Sequence, residues 1–193
     1  MNKPMCEQEF EFVLLLTGIR ELTRQVEDSL FEAGCDDATL SVRFGCVYLS
    51  FSRMAQTFKD AVLSAIRDVR KANIGACVSR IDECNLVTQA EIARRMGRSR
   101  QLVHQYMMGV RGPGNFPPPD CQIIDGKALW LWCEVADWLY RNDLLKEEDL
   151  QKALTIQTVN YVLDKQLRKY AHDKELTEEV LQAIGETPCR RTN

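Results

Sequence analysis

The chain has 193 residues, 45% of them hydrophobic, with a formal net charge of −3; that suffices for one full domain and a smaller one and excludes a disordered or fibrous chain. No apolar run approaches the roughly 18 to 20 residues that span a bilayer, and residues 1–9, MNKPMCEQE, lack the basic and apolar regions of a signal peptide. A soluble, cytoplasmic protein is expected.

From Phe10 to Ile81 the hydrophobic period switches between strand and helix values. Phe10 to Leu16 reads as an apolar strand. Ile19, Leu22, Val26 and Leu30 then recur at helical spacing up to Gly34, a C-terminal cap. Leu40, Val42 and Phe44 alternate with polar residues, a turn around Gly45 and Cys46 reverses the chain, and Val47, Leu49 and Phe51 continue the alternation, which predicts a hairpin. Thr57 with Asp60 is an N-cap for a helix that buries Phe58, Ala61, Val62, Ala65, Ile66 and Val69 and ends at Gly75. Ala76 to Ile81 supplies a last strand. The order βαββαβ predicts an N-terminal ferredoxin-like domain over residues 1–84, four strands with both helices on one face, suited to regulation or dimerisation. Tyr48 and Phe51, candidates for stacking on RNA bases, fall on opposite faces of their strand and read as packing residues.

Residues 86–108 are LVTQAEIARRMGRSRQLVHQYMM. Thr88 caps a short helix in which Ile92, Ala93 and Met96 face inward, Gly97 breaks it, and Val103 and Tyr106 lie on the inner face of a second helix that starts near Ser99. Charge is uneven along the chain: Lys and Arg against Asp and Glu number 10 to 13 over residues 1–84, 5 to 1 over 85–119, and 10 to 14 over 120–193. Arg94, Arg95, Arg98, Arg100 and Arg111 carry that central excess, and the arginine fork donates two parallel hydrogen bonds to phosphates or guanine edges.

After the motif come GVRGPGNFPPP at 109–119 and two apolar strands around Asp125-Gly126, a strong hairpin signal that would form a wing with Lys127 beside its tip. Val135, Trp138 and Leu139 mark a closing helix, with Trp130 and Trp132 as core and wing support. Residues 144–193 read as helix: Leu150, Leu154, Val162, Leu163 and Leu167 mark one stretch, Glu147, Glu148 and Asp149 at its start and Lys165, Arg168 and Lys169 near its end suit the helix dipole, and Thr177 starts another with Val180, Leu181 and Ile184 before Gly185. Thr187 to Asn193 reads as a loose tail.

Residues 86–139 resemble the winged helix-turn-helix of prophage excisionase-like and MerR-like proteins, in which a Phe-Pro turn leads to a short hairpin and a tryptophan-bearing strand before a closing helix. The resemblance implies double-stranded DNA binding by a central domain over residues 85–143, with the second helix in the major groove and the wing on the adjacent backbone. The whole chain is then α+β: ferredoxin-like domain, winged helix-turn-helix, and a C-terminal helical segment over 144–193. Arg100, Gln101, His104 and Gln105 are expected at base edges and Arg94, Arg95, Arg98 and Ser99 at phosphates, with Thr88, Gln89, Arg111 and Lys127 completing the interface. A transcriptional repressor or autoregulator acting as a homodimer is the leading expectation. A recombination accessory factor, and an antitoxin or adaptor that grips a protein through the N-terminal domain, are the alternatives. No catalytic arrangement or phosphate-binding loop stands out, so neither an enzyme nor a cofactor is expected. The eight cysteines are scattered and read as buried free thiols; with no C-x-x-C pair and with His104 far from His172 in sequence, zinc is not expected either.

Overall fold

A computed structural model describes residues 7–122, 127–167, 178–180 and 182–183. The fold is α+β and builds two hydrophobic cores joined by one long helix. In the first half β1 (Gln8–Thr17), α1 (Arg24–Ala33), β2 (Ala38–Arg43), β3 (Cys46–Ala55), α2 (Phe58–Lys71) and β4 (Cys77–Ile81) follow in turn. The strands form a sheet in the order β2-β3-β1-β4, with every neighbouring pair antiparallel. Because side chains alternate along a strand, Phe12, Leu14 and Leu16 of β1 and Val47, Leu49 and Phe51 of β3 share one side of the sheet. There they meet Leu30 of α1 and Ala61, Val62, Ala65 and Val69 of α2. Each such large side chain contributes about 1.5 to 3 kcal/mol when fully buried. Tyr48, one step out of phase with Phe51, lies on the other side, as the alternation requires.

Three local expectations are corrected. The first helix starts at Arg24 rather than Ile19, because the Thr23 hydroxyl accepts a hydrogen bond from the Val26 N–H at 3.3 Å and caps it there; Ile19 and Leu22 reach the core from the preceding loop. Phe44 leaves the strand and shares a two-residue turn with Gly45, at φ 52° and 72°. Two successive positive φ angles give the turn whose twist matches a hairpin. The second helix stops at Lys71 with Ala72 as its cap, and Gly75, at φ 72°, belongs to the turn beyond. Its start is as read: the Thr57 hydroxyl accepts from the Asp60 N–H at 3.1 Å and donates to the Asp60 carboxylate at 2.6 Å.

One charged side chain sits in the first core. Arg53 of β3 is buried and donates to Asp37 at 2.7 and 2.9 Å, to Asp68 at 2.7 Å, to Ser64 at 3.0 Å and to the Gly34 carbonyl at 2.6 Å. Burial works against its charge, but the hydrogen bonds to the two carboxylates outweigh it and hold the guanidinium protonated. The nearby Cys35 thiol is pushed up to about 11 by burial and then by the Asp68 charge. The described cysteines are free, as expected, although Cys77, Cys84 and Cys121 are exposed rather than buried.

In the second half β5 (Leu86–Val87), α3 (Gln89–Arg95), α4 (Arg100–Met107), β6 (Cys121–Gln122), β7 (Ala128–Leu131) and α5 (Trp132–Arg141) enclose the other core. A small sheet runs β5-β7-β6, both pairs antiparallel. The Asp125-Gly126 turn lies outside the described residues, but the strands on either side pair Cys121 with Leu129 and Gln122 with Ala128. Val87, Ile92, Val103, Val135 and Leu139 fill the core beside the three tryptophans.

The joining helix is α6 (Glu147–Leu167). Leu150 and Ala153 close the second core, whereas Ile156, Val159 and Leu163 pack on the first. Leu154, Val162 and Leu167, which mark this helical stretch in the sequence, are exposed, because the buried stripe steps through Ala153 and Ile156. Asn160 accepts a hydrogen bond from the Ile81 N–H at 2.7 Å and donates to the Ile81 carbonyl at 3.1 Å, which covers part of the β4 edge. Residues 178–180 and 182–183 are helical; Arg168, Lys169, Thr177, Leu181, Ile184, Gly185 and the tail from Thr187 lie outside the described residues. Among the described residues no helix is long and apolar enough to cross a membrane, and no group of three His, Cys, Asp or Glu could hold a metal.

Candidate nucleic-acid interface

The candidate interface is built from two caps and one glycine. The Thr88 hydroxyl accepts from the Glu91 N–H at 3.3 Å and starts α3; the Ser99 hydroxyl accepts from the Leu102 N–H at 3.2 Å and starts α4. Between them Gly97 takes φ 60°, and the chain closes α3 through Gly97 N–H to the Arg94 carbonyl at 3.1 Å and Arg98 N–H to the Ala93 carbonyl at 2.9 Å. A Cβ on Gly97 would meet nothing within 4 Å, so glycine is needed there for its backbone angle, not for space. Ile92, Ala93, Val103 and Tyr106 are buried, which turns the opposite side of α4 outward.

On that outer side Arg98, Ser99, Arg100, Gln101 and His104 are exposed and Gln105 is half-buried. A groove of about 510 Å³ runs beside α4, bordered by Thr88, Gln89, Arg100 and His104 on one flank and by Lys127 and Trp130 on the other. Gln89 donates to the Arg100 carbonyl at 2.9 Å and ties the first turn of α4 to α3. Among the described residues Arg98, Arg100, Arg111 and Lys127 form no ion pair.

Arg94 and Arg95 differ from these. The Arg94 side chain is 73% exposed and donates twice to Glu91, at 2.6 and 2.8 Å. The Arg95 side chain is only 13% exposed. It donates to Glu91 at 2.9 Å and to the Cys84 carbonyl at 3.2 Å, pairs with Glu83 at 3.4 Å and stacks 4.9 Å over the Trp132 ring. Hydrogen bonds from Arg94 and then Arg95 hold the Glu91 carboxyl well below its ordinary value, at about 2. Sequence reasoning grouped the two arginines and missed Glu83, whose second oxygen also pairs with Lys152 of α6 at 3.6 Å; only the fold brings positions 83, 95 and 152 together.

The long Gly-Pro-Gly-Asn stretch is anchored at several points. Val110 and Arg111 donate their N–H groups to the Gln105 carbonyl at 3.0 and 3.3 Å, folding the loop back onto α4. Gly112, at φ 88°, lies so close to Tyr106 that a Cβ would come within 2.7 Å of the ring. The Trp138 indole donates to the Gly114 carbonyl at 2.9 Å and the Trp130 indole to the Pro117 carbonyl at 3.1 Å, and Phe116 meets Trp138 edge-on at 4.9 Å. Both tryptophans spend their polar edge on this loop. Comparison with protein-family models, with curated proteins and with solved structures returns no match for this chain.

Proposed function

We propose that the chain binds double-stranded DNA with α4 in the major groove, as a transcriptional repressor or autoregulator. The observation that carries this reading is the outer side of α4, where Arg98, Arg100, Gln101 and His104 stand free while Val103 and Tyr106 are buried. Arginine and glutamine hydrogen-bond guanine and adenine edges respectively, and none of the described residues that line the groove is acidic. Lys127, across the groove, suits the backbone beside the site, as do Arg98, Ser99, Arg111 and the exposed Arg94. Its burial and partners give Arg95 a positioning role instead: it fixes α3 against Trp132 and Glu83. Gln105 is half-buried and Thr88 and Gln89 serve the helix starts, so base contact falls mainly to Arg100, Gln101 and His104.

The fold supports the finer architecture on which this reading rests. The β2-β3-β1-β4 order under α1 and α2 fits a ferredoxin-like domain, and α3, α4 and α5 with the β5-β7-β6 sheet fit a winged helix-turn-helix. A single module of this size makes a small interface, which favours a dimer on a two-fold operator. Selection of duplexes from a random pool, followed by titration of the winner and of an unrelated duplex at several salt concentrations, tests the proposal. We expect one enriched sequence, with affinity that falls steeply with salt; no binding to any duplex at low salt would refute it. Footprints over several direct repeats, rather than one inverted repeat, would point to the recombination factor.

A further inference from the structure

The last turn of α4 carries an apolar side chain that the base-reading set leaves out. Met108 caps the helix and keeps right-handed helical backbone, at φ −84°, and its N–H still donates to the His104 carbonyl at 3.0 Å. The turn of α4 therefore runs on through Met108, and Gly109, at φ 66°, ends it. Beyond that glycine the Val110 N–H closes on the Gln105 carbonyl at 3.0 Å, which fixes the backbone on both sides of Met108. Seven residues come to about two helical turns, so Met108 stands on the same line of α4 as Gln101, with His104 one turn before it. Val103 and Tyr106 are buried on the opposite side, and Met108 is 64% exposed. Half-buried Met107 joins Met108 in lining the groove beside α4, together with Arg100 and His104. A lone exposed methionine elsewhere on a surface would need no account; this one shares its line of the helix with the side chains assigned to base edges.

We propose that Met108 reads a thymine, packing its thioether against the 5-methyl group in the major groove. This rests on the reading of α4 as the major-groove helix and adds one residue and one base to it. The groups that base pairs present in that groove are polar donors and acceptors, apart from the thymine methyl. A thioether donates no hydrogen bond and accepts only weakly, so it cannot take the part that arginine or glutamine plays. It is flexible and polarisable, and it suits an apolar group held by another molecule. Cytosine presents an amino donor in the same groove, which the thioether would desolvate without satisfying. The rise from Gln101 to Met108 is about 10.5 Å. At roughly 3.4 Å per base step the thymine falls about three base pairs from the adenine that Gln101 reads, toward the C-terminal end of the helix.

Deoxyuridine tests this, because it differs from thymidine only in lacking that methyl. Each thymine of the duplex enriched from the random pool is replaced in turn by deoxyuridine, and affinity for the full chain is followed by fluorescence anisotropy at fixed salt. One position, about three pairs from a selected adenine, should weaken wild-type binding about fourfold, the worth of one buried methyl-sized group. Met108→Ala, which retracts the side chain to its Cβ, should bind the thymine duplex about as weakly and no longer tell the two bases apart. Met108→Leu should keep most of the discrimination, and both variants should melt with the wild type because the side chain is exposed. An enriched duplex with no thymine at that spacing, deoxyuridine forms that all bind as well as the parent, or a Met108→Ala variant that still prefers thymine there would overturn the proposal and leave the DNA reading standing. Failure to bind any duplex at low salt would remove both.

Discussion

Arg94 and Arg95 are neighbours in sequence and opposites in environment, and the difference decides what each substitution should do. Arg95→Ala leaves Glu83 and Glu91 with fewer partners and uncovers Trp132, so it is expected to cost about 1 to 3 kcal/mol of stability and to disturb DNA only through the fold. Arg98→Ala should instead leave the melting temperature alone, weaken every duplex, and reduce the salt slope by about one unit. Arg100→Ala and Gln101→Ala should lose discrimination between cognate and random duplex, on the order of 1 to 3 kcal/mol for a bidentate contact. Equal losses on both duplexes for all three would contradict the division of roles. Glu91 adds a pH signature. Its folded-state carboxyl is held down from 4.5 to about 2, so its stabilisation is present above about pH 4.5 and is lost as pH falls through about 2. The stability gap between the wild type and Glu91→Gln, followed by chemical denaturation, should therefore close over that window.

At the scale of elements, what could be read directly was local. Thr57, Thr88 and Ser99 each announce a helix start because a short hydroxyl side chain reaches the backbone N–H three residues on, within a single turn. Gly97 announces the break between α3 and α4 for the same kind of reason. The first helix starts later than its apolar spacing implies, because Ile19 and Leu22 keep helical spacing without being helical: apolar periodicity records which side chains reach a core, and a loop can deliver them too. Phe44 extends the strand alternation in the sequence, whereas the turn needs two positive φ angles and takes them at Phe44 and Gly45. Phe44→Asn, a residue that tolerates the left-handed region, should stabilise the isolated chain by about 0.5 to 1 kcal/mol in a thermal melt. Gly97→Ala meets open space but the wrong backbone angle, and about 1 kcal/mol of loss is expected. Gly112→Ala should cost more, because Tyr106 would have to move as well.

The long-range contacts were not legible, because no periodicity links residues that meet only after folding. Arg53 with Asp37 and Asp68, Asn160 with Ile81, and Glu83 with Arg95 and Lys152 are of this kind. The same holds for the double duty of α6, whose stripe serves two cores and so departs from the simple pattern of one. Two bodies that share a helix cannot melt independently without unwinding it. Heat or urea is therefore expected to unfold residues 8–167 in one transition, and a double transition in calorimetry would count against this coupling.

The three tryptophans of the chain, at 130, 132 and 138, all sit in the second core, and the first has none. Their emission thus watches one half of the molecule while being blind to the other. A lesion placed far away, such as Arg53→Met, should remove about 3 kcal/mol from the first half by stranding two carboxylates. If α6 transmits that loss, indole fluorescence will register a lowered midpoint although no indole lies near the change; if the signal stays where it was, the two halves stand or fall alone.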